Sequence, residues 1–190
     1  MGSASFGSRA VERSWKAGCR PLPVPALGRP PRELHAHIEE CNDRMQGFQL
    51  ATEFRQQKWF DDEHCKATLA FERQHYFAHV VLDMPQRFSN SLPQIWEATS
   101  PDLTILRLHG RNTETWDIKG QTVASDRFNY DYSDDELGQF IEKMRGLAGH
   151  TALVQAIFNN NFEDQGQRNA AALKRRFDDD ASGASNCALI

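Results

Sequence analysis

Leu103-Thr-Ile-Leu-Arg-Leu-His-Gly-Arg-Asn112 is an apolar run of strand composition that ends in ionisable and amide side chains. Three other stretches repeat the pattern. Phe48 to Phe54 closes with Glu53 and Arg55, Phe77 to Met84 with Asp83, and Ala152 to Phe158 with Asn159 and Asn160. Each is short and rich in β-branched or aromatic residues, as strands are.

Helical patterns fall between them. Arg32 to Gln46 carries Leu34, Ile38, Cys41 and Met45 at helical spacing, with Gly47 just past its end. Asp61 and Asp62 precede a helical stretch to about His75, with acids suited to a helix N-terminus. Ser133-Asp-Asp-Glu136 is a capping box, and Leu137, Phe140, Ile141, Met144 and Ala148 form one stripe ending at Gly149. Glu163 to Phe177 makes the last helix. The second and third strands are joined by Pro85 to Pro101, with at most a short helix near Ile95. Strands alternating with helices imply parallel pairing through right-handed crossovers. Sites in such sheets form at the carboxyl ends of the strands.

The chain ends are different in kind. Pro21-Leu-Pro-Val-Pro-Ala-Leu-Gly-Arg-Pro-Pro31 contains five prolines, which remove backbone donors and bar a helix or central strand. Residues 1–31 therefore read as a basic, proline-rich, irregular and disordered arm, 32–177 as the domain, and 178–190 as a flexible tail. Up to Arg32 the charge balance is +5, leaving −9 for the remainder of a chain whose net charge is −4. An acidic body argues against non-specific nucleic-acid binding, which rests on many Lys and Arg contacts to phosphate. Apolar stretches fall far short of the ~20 residues of a membrane span, so a membrane role is excluded and the protein reads as soluble. Cys19, Cys41, Cys65 and Cys187 show no CxxC pair and read as reduced thiols in the cytoplasm. Neither the N-terminus nor Cys187-Ala-Leu-Ile190 fits a lipidation signal well.

The strand ends supply the candidate site. Glu53, Asp83 and His109 are the candidate catalytic groups, as a general base and acid or as ligands of a possible divalent cation. Arg55, Arg107 and Arg111, with Asn112, Asn159 and Asn160, are candidates for holding an anionic small molecule, since the guanidinium fork matches phosphate and carboxylate. Cations on either side of His109 lower its pKa and favour the neutral base. The competing expectation is a salt-bridge layer, Glu53 with Arg107 or Asp83 with Arg55, that closes the end of the sheet without chemistry. The long Thr113 to Tyr132 segment carries Trp116, Lys119, Arg127, Tyr130 and Tyr132, a candidate lid over a ligand or an aromatic patch packing the loop down.

Glu53-Phe-Arg55, Trp59-Phe60, Asp83-Met-Pro85, Arg107-Leu-His-Gly-Arg-Asn112, Tyr130-x-Tyr132-Ser133 with Glu136-Leu137, and Phe158-Asn-Asn160 occur in this order. Together they resemble the YecE-like family, domain of unknown function 72, over roughly Pro31 to Phe177. The resemblance implies an α/β fold of the TIM-type βα-barrel, here partial and comprising the last four βα units behind the arm. A half-barrel exposes edges and apolar faces, so self-association or poor stability is the expectation. Three functions remain open: a hydrolase or lyase acting on an anionic substrate, a ligand- or partner-binding module without turnover, and an inactive truncated copy.

Overall fold

Among the described residues, six parallel strands lie side by side in the order in which the chain makes them. They are β1 (Arg20–Pro23), β2 (Leu50–Glu53), β3 (Ala78–Asp83), β4 (Thr104–Leu108), β5 (Val154–Phe158) and β6 (Cys187–Leu189). Helix α1 (Arg32–Arg44) joins β1 to β2, α2 (Cys65–Gln74) joins β2 to β3, α3 (Asp134–Ala148) joins β4 to β5, and α4 (Gln165–Asp180) joins β5 to β6. The computed structural model describes residues 20–23, 32–116, 124–180 and 187–189.

The four expected strands form within the expected stretches. Two more form where none was expected. β1 lies inside the proline-rich arm and pairs with β2, and β6 lies in the tail and pairs with β5. Each ends the sheet, and an edge strand tolerates the missing N–H groups of Pro21 and Pro23 because one of its sides has no ladder to complete. The bar that proline sets against a central strand does not extend to the edge. The short helix considered near Ile95 is absent, and residues 92–99 run without regular structure. Helix α4 starts later and ends later than its pattern indicated.

Helix α3 begins as its sequence dictates. Ser133 Oγ accepts from the Glu136 N–H at 3.4 Å, and Glu136 Oε2 accepts from the Ser133 N–H at 2.9 Å. Asp61 does not enter α2. Its Oδ1 instead accepts from the His64 N–H at 2.8 Å and approaches His64 Nδ1 at 2.7 Å, and its carboxyl lies below the usual range chiefly through the His64 hydrogen bond.

Alternation along the strands divides the sheet into two faces. On the outer face Val81, Leu106, Leu108, Val154 and Ala156 pack with Leu137, Phe140, Met144 and Leu147 of α3 and with Leu173 and Phe177 of α4. On the inner face Ala51, Ala78, Val80, Leu82 and Ile105 pack with Met84, Leu92 and Trp116 from the loops. Helices cover one face and loops the other, the consequence of a sheet that winds in one direction only. Beneath α2, buried Glu72 accepts from Thr52 Oγ1 at 2.5 Å and meets His79 Nδ1 at 3.0 Å. Thr52 and His79 are paired neighbours in β2 and β3, so α2 is tied to the outer face by a polar pin as well as by apolar contact.

Candidate functional site

Register decides which strand-end residues meet. Leu82, Arg107 and Ile157 lie in one row across β3, β4 and β5, and Asp83, Leu108 and Phe158 in the next. Arg107 therefore shares the inner face with Leu82, and Asp83 shares the outer face with Leu108. The residues expected to form one site form two clusters.

The inner cluster centres on Glu53, 3% exposed. Arg107 Nη1 donates to Glu53 Oε2, while Arg107 Nε and Nη2 donate to Asn159 Oδ1 at 3.1 and 2.9 Å. Arg55 Nε lies 3.4 Å from Glu53 Oε1, with its side chain 60% exposed. Half of the expected salt-bridge layer is thus real: Glu53 pairs with Arg107, but Asp83 does not pair with Arg55. Two guanidinium groups against one carboxylate leave this cluster with a balance of one positive charge.

His109 extends the inner cluster. It continues the β3–β4 ladder by donating its backbone N–H to the Asp83 carbonyl at 2.9 Å. Its ring lies 5.9 Å from Phe128 and 6.5 Å from Trp116. Nδ1 is buried and finds no hydrogen-bond partner among the described residues. Burial first, and then the charges of Arg107 and Arg55 against the opposing pull of Glu53, lower its pKa to about 4. The ring is neutral at ordinary pH.

The outer cluster centres on Asp83, which is wholly buried. Arg111 Nη2 donates to its Oδ1 at 2.8 Å, Arg111 Nε spans both oxygens at 3.0 and 3.1 Å, and the Tyr132 hydroxyl donates to Oδ2 at 2.6 Å. Gln94 Nε2 donates to Oδ1 as well. Arg111 Nη1 reaches Glu136 Oε1 at 2.9 Å, and Tyr130 donates to the same oxygen at 2.7 Å. Burial works against the charge of Arg111, but the bonds to Asp83 and the field of Glu136 outweigh it and raise its pKa. Burial, then Glu136, pushes the Tyr130 phenol up to about 12, and burial with Asp83 beside it holds Tyr132 far above the usual range. Glu136 is held low, despite its burial, by Tyr130, Ser133 and Arg111.

Gly110 joins the two clusters. Its φ of +86° is in the left-handed region, and a Cβ there would lie 2.6 Å from the Tyr130 Cβ, so no side chain fits. The Gly110 N–H donates to the Tyr132 hydroxyl at 2.8 Å. This turn sends His109 inward and Arg111 outward.

The remaining expected residues make contacts within the fold. Asn160, fully buried, donates to the Tyr130 carbonyl at 2.8 Å and to Asn169 Oδ1 at 2.6 Å. Asn112 folds its own loop, accepting from the Glu114 N–H at 3.0 Å and donating to the Asn129 carbonyl at 2.9 Å. Of the lid candidates, Trp116 packs in the inner core under the Arg127 guanidinium, 5.7 Å away. Tyr130 and Tyr132 are tied into the outer cluster, and Lys119 lies outside the described residues. Among those residues no three His, Cys, Asp or Glu side chains gather as a metal site would require. Glu53 and Asp83, expected as joint ligands of a divalent cation, face opposite sides of the sheet. Gln94, Glu136 and Asn169 were not foreseen as members of these clusters. Glu136 carried a signal only as a helix cap, and Gln94 and Asn169 carried none.

The chain is similar to proteins of one known family. A DUF72 family protein from Enterococcus faecalis V583 matches with a TM-score of 0.76 and 24% identity, over 83% of this chain and 57% of that one. A DUF72 family protein from Thermotoga maritima MSB8 matches at 0.69 and 26%, over 86% and 57%. The UPF0759 protein YunF of Bacillus subtilis (strain 168) is 30% identical over 155 residues, 80% of this chain and 55% of its own length. The chain thus spans about half the length of this curated relative. The family model, "Protein of unknown function DUF72", matches residues 11–188. The resemblance is therefore not confined to a later half between Pro31 and Phe177, since the match takes in β1 and β6, which belong to the same sheet. The chain, matched over nearly its whole length, belongs to the DUF72 family.

Proposed function

We propose that the inner cluster binds an anionic small molecule, a phosphate or carboxylate, within a TIM-type βα-barrel of which this chain supplies part. The observation that carries the reading is the unmatched positive charge: Arg107 and Arg55 share the single carboxylate of Glu53. Arg107 is oriented by Asn159, and exposed Arg55 is free to turn toward a ligand. Glu53 serves as their common anchor, and loop residues Trp116 and Phe128 exclude water beside His109. A cytoplasmic setting suits the reduced thiols. The end strands of the sheet among the described residues, β1 and β6, favour self-association, which analytical ultracentrifugation would report as a dimer.

A second reading adds proton transfer, and the neutral, unpartnered ring of His109 favours it. A base already neutral at pH 7 accepts a proton without prior deprotonation, as hydrolase or lyase chemistry on an anionic substrate requires. Calorimetric titration with inorganic phosphate and short carboxylates tests the first reading. The parent chain is expected to bind, and Arg55→Ala to weaken binding by about tenfold, or about 1.4 kcal/mol. A parent that binds none of these anions sinks the proposal. His109→Asn is expected to retain binding, so any turnover found in the parent and lost in that variant supports the proton-transfer role.

A further inference from the structure

A cleft of about 450 Å³ opens at the same end of the sheet, lined by Met84, Pro85, Gln86, Pro93, Gln94, Arg111 and Thr113. Its volume is in the range of small-molecule sites. Resting on the anion site proposed above, we infer that this cleft receives the uncharged part of the same ligand, a ring bearing hydroxyl or carbonyl groups.

Charge matching is the first reason. Among the described residues, Arg111 is the only charged one lining the cleft, and it already faces two carboxylates, Asp83 and Glu136. The local balance is one negative charge, which disfavours an anion. The guanidinium has five N–H donors, and its bonds to Asp83 and Glu136 leave a hydrogen on each of Nη1 and Nη2. It is fixed in place by those bonds and lies 5.2 Å from the Phe140 ring centroid. A held cation with its charge already compensated is a donor to neutral oxygen.

The wall opposite is built to keep its shape. Ser91 Oγ donates to the Pro85 carbonyl at 2.5 Å and accepts from the Phe88 N–H at 3.1 Å. Gln86 Nε2 donates to the carbonyls of Met84 and Leu92 at 2.9 and 3.0 Å. Two prolines and Met84 add apolar surface against which a ring face can lie. The cleft therefore exists before a ligand arrives, and little ordering opposes binding.

Its location supplies the link to the anion site. Beyond the paired row of Leu82 and Arg107, the next inward-facing positions are Met84 and His109. Met84 belongs both to the cleft and to the inner-face apolar cluster. A ligand with its anion at Arg107 and Arg55 would run past His109 toward Met84.

Calorimetry on the full chain would compare inorganic phosphate, glucose 6-phosphate, uridine 5′-monophosphate, glucose and uridine. One of the two ring phosphates is expected to bind at least about tenfold more tightly than inorganic phosphate, and which of them does so separates a sugar from a nucleobase. Thr113→Phe, which fills the cleft, is expected to remove that advantage and leave phosphate affinity within about twofold. Ring phosphates that bind no better than phosphate, or an advantage that survives Thr113→Phe, overturn the inference and leave the anion site standing. Loss of all phosphate binding with Thr113-sensitive binding of glucose or uridine retained overturns the anion site and supports the cleft. Absence of any binding overturns both.

Discussion

The inner and outer clusters stand at the same end of one sheet, on its opposite faces, yet their charges are matched in opposite ways. Outside, Asp83 and Glu136 surround Arg111, and two tyrosines and Gln94 donate to these carboxylates in the helix-covered layer. Inside, Arg107 and Arg55 share Glu53, Arg55 is 60% exposed, and the His109 Nδ1 is unpartnered among the described residues. A polar group whose needs are met internally holds the fold, whereas one left wanting is available to a ligand. The difference gives the buried carboxylates of the outer cluster a role in stability and leaves the inner cluster as the place proposed for the anion.

Removing the centre of the outer cluster should give the largest effect. Asp83→Ala leaves Arg111 without its main partner and strands the Tyr132 hydroxyl. Urea denaturation should show a loss of about 3–5 kcal/mol, the cost of breaking a buried ion pair on one side. A loss under about 1 kcal/mol would break the comparison, because the outer cluster would then not be structural.

Acid should reach the inner cluster first. The native His109 pKa is about 4, against an ordinary value near 6.5. Between these limits the unfolded chain binds the proton and the native chain does not, so stability rises with pH. His109 therefore destabilises the native state progressively as pH falls from about 6.5 to about 4, by about 3 kcal/mol in all. Glu53 attracts the imidazolium, while Arg107 and Arg55 repel it. Stability measured against pH should be flatter across this window in His109→Asn than in the parent, and equal slopes would remove the charge argument for the inner face.

The hinge between the clusters comes next. Gly110→Ala meets both a left-handed backbone and the Tyr130 Cβ, and should cost about 2 kcal/mol or more in thermal or urea unfolding. An unchanged midpoint would show that the turn is not what separates His109 from Arg111. Arg55→Ala should give the smallest stability change, within about 0.5 kcal/mol, because exposed ion pairs contribute little. Its effect should appear instead in anion affinity, and a large loss of stability without loss of binding would reverse the roles assigned to the two faces.

Much of this was legible in the chain. The periodicity of Leu137, Phe140, Ile141 and Met144 and the Ser133–Glu136 box marked α3, and both motifs are local enough to act through their own backbone. The strand-end residues Glu53, Arg107 and His109 were found because charged side chains at the end of an apolar run need solvent or partners. β1 and β6 were not found, since Arg20–Pro23 and Cys187–Leu189 have no strand signal of their own and exist through pairing with β2 and β5. Gln94 and Asn169 were missed for the same reason, as each acquires its role only from a residue distant in sequence.

By itself the sequence determined the type and order of the four inner strands and their helices, and the polar character of the strand ends, because propensity, capping and alternation act over a few residues. Only the tertiary structure decided that Asp83 and Arg111 turn away from Glu53, Arg107 and His109. Alternation fixes which residues of one strand share a face. Which face of the next strand continues it depends on register, and register is set by the packing of the sheet against α3, α4 and the loops.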